Sequence, residues 1–409
     1  MKKISNQKLL LLSIVTFFWF SQYVYIPFQN PYLSACNVST NMIGIIIGAY
    51  GISQCLLRIP VGVFADSINK HKIFILSGIF FAGLASLIRV FSPGGNGFLI
   101  ANILSGISSS TWISYMVHYT NFFSTEHQQK ATSTIILVNN LGMLIGFVMS
   151  TLFYEKLGMT ALCIMSVLSS VIGTILALNI KNHNSKKIPE KISIKKYLSI
   201  CKDKRLVFFS FMALIQQGIQ MSTTMSFTTQ ILKNLGSSST LIGLSSISYM
   251  VCAVASSGFA STKFCTKYGP KFWIPLVFIL VSAYCFLVPT IKNINIIFVL
   301  QVLPGISTGI LLSYLTSESM KNVPKHQKST AMGFFQAIYA IGMSVFPMIV
   351  GKISEYTSIQ YGYFILAIIA ILASILSYTY YKKVDLTLNY DIIPVSYTHL
   401  RAHETREDL

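Results

Sequence analysis

Charged residues are scarce in this 409-residue sequence. They make up 11% of it, against about 25% in a typical soluble domain, while hydrophobic residues reach 53% and the mean hydropathy is +0.62. A soluble fold of this length could not cover its surface with so few charges. The composition therefore excludes a soluble globular protein and indicates an integral membrane protein.

Several chemical signatures are also missing. The seven cysteines form no close pair, no C-x-x-C motif and no cluster with histidine, so the sequence predicts neither a metal site nor a disulfide framework. It has no G-x-x-x-x-G-K-[ST] loop, which argues against an ATP-driven pump. No carboxylate falls in the middle of an apolar segment, where a membrane enzyme would need paired acids. We therefore expect no enzymatic activity and no cofactor.

Twelve windows of about 20 mostly apolar residues, the length needed to cross a bilayer core, follow one another along the chain. The first is too long for a signal peptide and lacks a small-residue cleavage site, so we interpret it as a spanning helix. The predicted spans are Leu9–Tyr32, Met42–Val63, Ile73–Val90, Phe98–Tyr119, Ala131–Tyr154, Met159–Ile180, Leu206–Leu232, Leu241–Ala260, Phe272–Ile291, Ile294–Leu315, Ala331–Val350 and Tyr361–Tyr381.

The basic residues predict how these spans are oriented. With twelve spans both termini lie on one side, and 23 of the 31 Lys and Arg residues fall in the loops of that side or in the central loop. Because cytoplasmic loops retain Lys and Arg, we expect both termini in the cytoplasm and the protein in the plasma membrane. The net charge of +19 is then topological, so we expect no nucleic-acid partner. The expected partners are a lipid bilayer and a small-molecule substrate, and we expect a monomer.

The two halves of the sequence repeat each other at a spacing of 199 residues. One register holds across several segments, which indicates duplication with both copies in the same orientation and an internal axis along the membrane normal. The matching residues are Tyr50 and Tyr249, Asn102 and Gln301, Gly106 and Gly305, Ser114 and Ser313, Tyr115 and Tyr314, and His127-Gln128 and His326-Gln327.

This duplication predicts the domain organisation. Residues 1–180 form a first six-helix bundle, residues 181–205 a basic cytoplasmic loop, and residues 206–384 a second six-helix bundle. The polar tail at 385–409 fits neither bundle. Its last part, from Val395, resembles a translated sequencing adapter, so we expect the tail to be partly artefactual and assign it no function.

The segment from Gly62 to Lys72 resembles the G-x-L-A-D-R-x-G-R-R/K signature of the major facilitator superfamily. Gly62, Ala65, Asp66 and Lys70 match, while Ser67 and Asn69 replace the usual Arg and Gly. With the six-plus-six topology, the resemblance covers residues 1–384. It implies an all-α membrane protein of twelve transmembrane helices in two six-helix bundles related by a pseudo-twofold axis.

The resemblance also implies a gate formed by Gly62, Asp66 and Lys70. In this family similar residues latch the two halves in one state, and the partner helix would begin near Lys328–Thr330. Asp66 can accept hydrogen bonds from such a helix N-terminus. In the second copy, Glu318 near Lys267 and Lys271 is a candidate mirror latch. The alternative is that these residues are solvated loop charges.

Spans one, four, seven and ten line the central cavity in this superfamily, and here they carry amides and hydroxyls. Such groups, with aromatic surfaces, suit a neutral, zwitterionic or amphipathic solute, whereas a strongly anionic solute would need an embedded cation. The alternative is that the amides bond neighbouring helices. The candidate substrate-binding residues are Gln22, Tyr25, Gln29, Asn102, Ser109, Trp112, Gln216, Gln220, Thr224, Gln301 and Thr308.

Other ionisable residues of the spans offer little for proton transfer. Asn102 stands where many proton-linked family members carry Arg, and His118, near a span end, is expected to be structural. Arg58 and Arg89 are expected to snorkel toward span ends. The sequence thus predicts a secondary transporter or facilitator of a small organic solute, working by alternating access. The alternatives are a multidrug-type efflux transporter and a sensor on a transporter scaffold.

Overall fold

A computed structural model of the chain describes residues 2–68, 70–124, 128–181, 198–260, 262–324 and 327–391. Within these ranges the chain is helical and has no strand, as predicted. Most of the predicted central loop and the end of the polar tail lie outside the described residues. The last helix of the described residues, Ile359–Asp391, continues beyond the predicted start of the tail at residue 385.

Seven helices form the described part of the first half. They are α1 (Lys2–Tyr23), α2 (Ile26–Ala35), α3 (Thr40–Ile68), α4 (His71–Phe91), α5 (Gly95–Ser110), α6 (Trp112–Thr120) and α7 (Gln128–Leu178).

The second half follows a short 3₁₀ turn at Ser199–Lys202 and contains two π-helical segments, at Thr223–Phe227 and at Ser307–Leu311. Its α-helices are α8 (Lys204–Ser222), α9 (Thr228–Asn234), α10 (Ser239–Phe259), α11 (Lys263–Leu287), α12 (Ile294–Leu300), α13 (Val302–Ile306), α14 (Leu312–Met320), α15 (Lys328–Tyr356) and α16 (Ile359–Asp391).

Ten helical stretches of the described ranges are long and apolar enough to cross a membrane. One of them, Thr134–Leu178, has 45 residues, about twice the length that a bilayer core requires. Gly158 interrupts it with a φ of 72° and a ψ of −176°, a conformation outside the helix that glycine adopts without strain. The multi-pass helical architecture is confirmed, while the count of twelve spans stays a prediction.

Large apolar side chains cover the outside of the bundle. Leu56, Phe80, Leu168 and Ile368 are all more than half exposed, although a soluble protein seldom shows so much contiguous apolar surface. A lipid environment removes the cost of this exposure, because hydrocarbon tails solvate such side chains. The apolar exterior therefore agrees with the composition of the sequence.

The two halves meet along helices α7 and α10, and also along α3 and α15, which run antiparallel. Glycines let their backbones approach closely: a Cβ at Gly44 would lie 2.7 Å from the carbonyl oxygen of Pro347, and one at Gly62 would lie 2.7 Å from that of Ser329. Small residues at such positions allow helices to pack tightly in lipid. The contact therefore spans nearly the whole length of both helices.

Residues 199 positions apart make similar contacts in the two halves. The hydroxyl of Tyr50 hydrogen-bonds that of Ser109 at 2.9 Å, and Tyr249 and Thr308, each 199 residues further on, hydrogen-bond at 2.8 Å. The amide of Asn102 donates to the carbonyl of Ile46 at 2.8 Å. Its counterparts make the same link, because Gln301 donates to the hydroxyl of Ser245 at 2.8 Å.

We expect Gly342→Ala to destabilise the second half. The added Cβ would lie 2.0 Å from the carbonyl oxygen of Leu214, so the backbones of α8 and α15 would have to separate. Overpacking of this kind costs about 1–3 kcal/mol, which should lower the melting temperature of the purified protein. Gly258→Ala is the matched control, since its Cβ meets nothing within 4 Å. Equal melting temperatures for the two variants would contradict this account.

Candidate functional site between the two halves

One end of the bundle, here called the Asp66 end, carries the predicted gate. The half-buried carboxylate of Asp66 accepts hydrogen bonds from the backbone N–H and the hydroxyl of Thr330, both at 2.8 Å. Thr330 lies in the first turn of α15, where unpaired N–H groups favour an anion. The structure therefore places the Asp66 carboxylate against the start of α15, the predicted partner helix. Gly62 packs against the same part of α15, and Lys70 is exposed.

At the opposite end, here called the Asn30 end, other contacts join the halves. Asn30 on α2 donates to the hydroxyl of Ser226 in the first π-helical segment at 2.7 Å. Lys233 donates to the carbonyl of Pro31 at 2.6 Å. A third contact runs from the backbone N–H of Thr240 to a carboxylate oxygen of Glu155 at 3.1 Å. Polar bonds from α2, α9 and α10 thus hold the halves together here.

A cavity of about 470 Å³ lies between the halves at the Asp66 end. Thr120 and Ile136 line it from the first half, and Ser313 and Met332 line it from the second. Its wall is mostly apolar. Charged groups among its lining residues come from Glu318, Lys321 and Lys328. An organic molecule with an apolar body and a polar group would fit such a lining.

The predicted mirror latch has a different partner. Among the described residues Glu318 forms its ion pair with Arg205, rather than with Lys267 or Lys271, and it also accepts a hydrogen bond from Tyr381 at 3.2 Å. Both partners belong to the second half. The ion pair ties the start of α8 to α14, because Arg205 lies in the first turn of α8. The hydrogen bond from Tyr381 ties α16 to α14.

The predicted cavity residues of the first half are buried and bonded within it. The amide of Gln22 donates to the carbonyl of Ser105 at 3.2 Å and to the hydroxyls of Ser108 and Ser109 at 2.7 and 3.2 Å. Trp112 packs edge-on against Trp19. Gln29 differs, because its side-chain oxygen has no hydrogen-bond partner among the described residues.

The predicted residues of the second half form a chain of hydrogen bonds. Gln216 donates to the side-chain oxygen of Gln220 at 3.1 Å, and Gln220 donates to the hydroxyl of Tyr249 at 2.7 Å. Thr224 donates to the carbonyl of Gln220. Gln301 also accepts from Tyr284 at 3.2 Å. None of the eleven predicted residues lines the 470 Å³ cavity, so their role in binding stays a prediction.

Helical irregularities recur at equivalent positions in the helices that carry these residues. The break between Tyr23 and Ile26 lies 199 residues before the π-helical segment Thr223–Phe227. Likewise, the break at Thr111 corresponds to the segment Ser307–Leu311. Irregular turns inside long helices often mark hinges or functional sites. Both halves thus contain irregular turns at equivalent positions of the repeat.

Sequence reasoning placed Arg89 wrongly. Its side chain is 1% exposed and turns inward, donating to the side-chain oxygen of Asn102 at 2.7 Å and to the hydroxyl of Ser105 at 2.9 Å. Its guanidinium lies 4.0 Å from the ring centroid of Tyr25. The sequence predicts snorkelling because Arg89 lies at the end of the predicted span Ile73–Val90. The sequence signal for this position is the set of polar and aromatic side chains on other spans, Tyr25, Asn102 and Ser105, that can surround a buried guanidinium.

We expect Gln22→Ala to lower the stability of the first half, because it leaves three buried acceptors without their donor. A lost buried hydrogen bond costs about 1–3 kcal/mol, which a thermal melt of the purified protein would detect. Leu168→Ala is the control, since Leu168 is 58% exposed on the apolar exterior. A melting temperature no lower than that of the control would show that these hydrogen bonds contribute little.

Comparison with known proteins agrees with this architecture. The sequence is 26% identical to an uncharacterized MFS-type transporter of Methanocaldococcus jannaschii over 373 residues, covering 86% of this chain and 92% of the relative. It is 22% identical to the proton-coupled antiporter flippase LtaA of Staphylococcus saprophyticus over 400 residues, covering 93% and 96%. It is 23% identical to the staphylopine export protein of Staphylococcus aureus over 370 residues, covering 87% and 90%.

The fold also matches a solved transporter structure. The crystal structure of the human organic anion transporter MFSD10 superposes with a TM-score of 0.71 at 12% identity, covering 92% of this chain and 99% of that one. The sequence profile of the Major Facilitator Superfamily matches residues 11–230 and 206–389, which together span most of the chain. This chain, with two similarly built helical halves around a cavity, is therefore a member of the Major Facilitator Superfamily of membrane transporters and not an enzyme.

Proposed function

We propose that the chain is a secondary transporter or facilitator that moves a small organic solute across the membrane by alternating access. The observation that carries the proposal is the cavity at the Asp66 end together with the contacts that join the same halves at the Asn30 end. Such a protein exposes a site between its halves to one side of the membrane and then to the other, by rocking one half against the other.

The finer topology belongs to the same proposal. Twelve spans form two six-helix bundles related by a near-twofold axis along the membrane normal, and the Gly158 break and the 199-residue repeat of contacts support this count. The distribution of Lys and Arg supports cytoplasmic termini in the plasma membrane. The cavity at the Asp66 end then opens to the cytoplasm, and one monomer contains the whole path.

The proposed solute is neutral, zwitterionic or amphipathic, which the mostly apolar cavity with charged groups in its lining supports. The second candidate is a multidrug-type efflux transporter. The relatives support export, since one is named a flippase and another an export protein. A sensor on a transporter scaffold would bind the solute without moving it.

Reconstitution of the purified protein in liposomes tests this function. Solutes that raise the melting temperature would be measured for uptake and release against protein-free vesicles. We expect at least one to move across the bilayer with saturable kinetics. Binding without flux would contradict transport and indicate a sensor.

We expect Asp66→Asn to lower the maximal transport rate more than the apparent affinity. The substitution removes the negative charge at the start of α15 but touches nothing in the cavity, so it changes the balance between states. Flux in liposomes with varied solute concentration measures both parameters. Glu355→Gln is the control, an exposed acid at the other end of α15. Unchanged flux in Asp66→Asn would remove the gate from the mechanism.

For a solute that does not itself titrate in this range, we expect binding to change little between about pH 5.5 and 8, where histidine titrates. The cavity lining at the Asp66 end contains no histidine. Binding by thermal shift at fixed solute concentration across this range measures the dependence. A steep change would instead implicate His71 and His118, whose rings lie 6.0 Å apart in the first half.

A further inference from the structure

Arg58 is a second buried arginine, and it lies at the contact between the halves. Its side chain, on α3, is 2% exposed and donates from Nη1 to the carbonyl oxygen of Gln336 on α15 at 3.1 Å. The guanidinium lies 4.7 Å from the ring centroid of Tyr339. Arg58 therefore does not snorkel, contrary to expectation, and its charge sits between the two halves.

No acid of the described residues neutralises this charge. The ion pair within the described ranges joins Arg205 to Glu318. Asp66 lies about 12 Å from Arg58 along α3 and bonds Thr330. Removing a charge from water is costly unless it is paired and hydrogen-bonded, and in membrane proteins such a residue is a functional candidate.

Unpartnered polar atoms surround Arg58. Its own Nε has no hydrogen-bond partner among the described residues, and neither does the side-chain oxygen of Gln336. Gln54, one helical turn away on α3, is fully buried with both its amide atoms unpartnered. Buried polar atoms are nearly always bonded, so this cluster requires an explanation. The cluster of Gln54, Arg58 and Gln336 is called the Arg58 cluster below.

Arg89 is a buried arginine of the same protein with a structural role, and it provides a comparison. It donates to Asn102, Ser105 and, at 3.4 Å, Ser86, and it stacks on Tyr25. All these partners lie in its own half. The Nε atoms of both arginines have no hydrogen-bond partner among the described residues. Within these residues, however, Arg58 has one hydrogen bond and one ring contact, both across the interface. The difference indicates that Arg58 serves something other than the packing of its own half.

The Arg58 cluster lies just beyond the 470 Å³ cavity. Met116 and Met332 line that cavity, and the amide nitrogen of Gln336 lies 3.9 Å from the sulfur of Met116. Gln336 is also one helical turn from Met332 on α15. Two methionines, whose unbranched side chains change rotamer readily, therefore separate the cavity from the cluster.

We propose that the Arg58 cluster binds the anionic group of the transported solute. The solute is an amphipathic organic anion or zwitterion bearing a carboxylate, sulfonate or phosphate, and its apolar part lies against the cavity wall. The planar guanidinium can donate two parallel hydrogen bonds to such a group, and the glutamine amides can donate to its remaining oxygens. This inference rests on the proposed transport function and specifies its solute.

The test uses the full-length protein in phosphatidylcholine nanodiscs and probes that share one apolar core. The anionic probes are 2-naphthoate, naphthalene-2-sulfonate and 2-naphthyl phosphate. The comparison probes are neutral 2-naphthol and cationic 2-naphthylmethylammonium. We expect at least one anion to raise the wild-type melting temperature more than either comparison probe. We expect Arg58→Gln to weaken its binding about 30-fold or more, and Arg58→Lys to weaken it less.

The melting temperatures of two variants without ligand distinguish a loss of binding from misfolding. Arg58→Gln should melt at or above the wild-type temperature, because it removes a poorly compensated buried charge. Functional sites commonly contain such destabilising groups. Arg89→Gln should melt lower and keep the preference for anions. Lower melting of Arg58→Gln combined with unchanged anion binding would overturn the proposal.

Other outcomes are equally decisive. The proposal fails if no anion of the set stabilises the wild type, or if neutral and cationic probes bind as well. Adding phosphatidylglycerol to the nanodiscs distinguishes the sources of the anion, since competition with the probe would identify a lipid headgroup. Anion binding without flux in liposomes would contradict transport alone, whereas flux with no preference for anions would contradict the Arg58 cluster alone.

Discussion

The close approach of α3 to α15 is the largest contact between the two halves, and the arrangement of the halves depends mainly on it. Glycines on α3 bring the backbones together from Gly44 to Gly62, and the bonds from Asp66 to Thr330 finish the contact at one end. In lipid no hydrophobic force drives helices together, so close packing and hydrogen bonds must do it. Any relative motion of the halves must break or slide this contact.

Hydrogen bonding within each half links its helices, as the proposed alternating-access mechanism requires of units that move against each other. Gln22 bonds three partners in the first half, and Gln216 and Gln220 link helices to Tyr249 in the second. By contrast, few polar bonds cross between the halves, and those described here lie mainly toward the two ends. Irregular turns at equivalent positions add bendable points without interrupting these networks. Rigid halves with sparse polar contact suit a rocking motion.

Buried cations divide into two kinds in this protein. Arg89 is surrounded by hydroxyls, an amide oxygen and an aromatic ring of one half, so its charge is compensated by local dipoles. Arg58 reaches across the interface to one carbonyl and one ring, beside unpartnered glutamine amides. A charge so placed feels any separation of the halves directly, because its surroundings belong to both of them.

The sequence by itself determined the membrane class, the helical architecture, the duplication and the contact of Asp66 with the start of α15. The first three follow from composition, from apolar segment length and from the 199-residue repeat, all of which are visible along the chain. The Asp66 contact follows from the resemblance of Gly62–Lys72 to the family signature. Tertiary structure alone decided the partner of Glu318, the bonding of the predicted cavity amides within their own halves, and the inward turn of Arg58 and Arg89. A side chain's direction and partners depend on which distant helices pack beside it, and apolar periodicity carries no information about that.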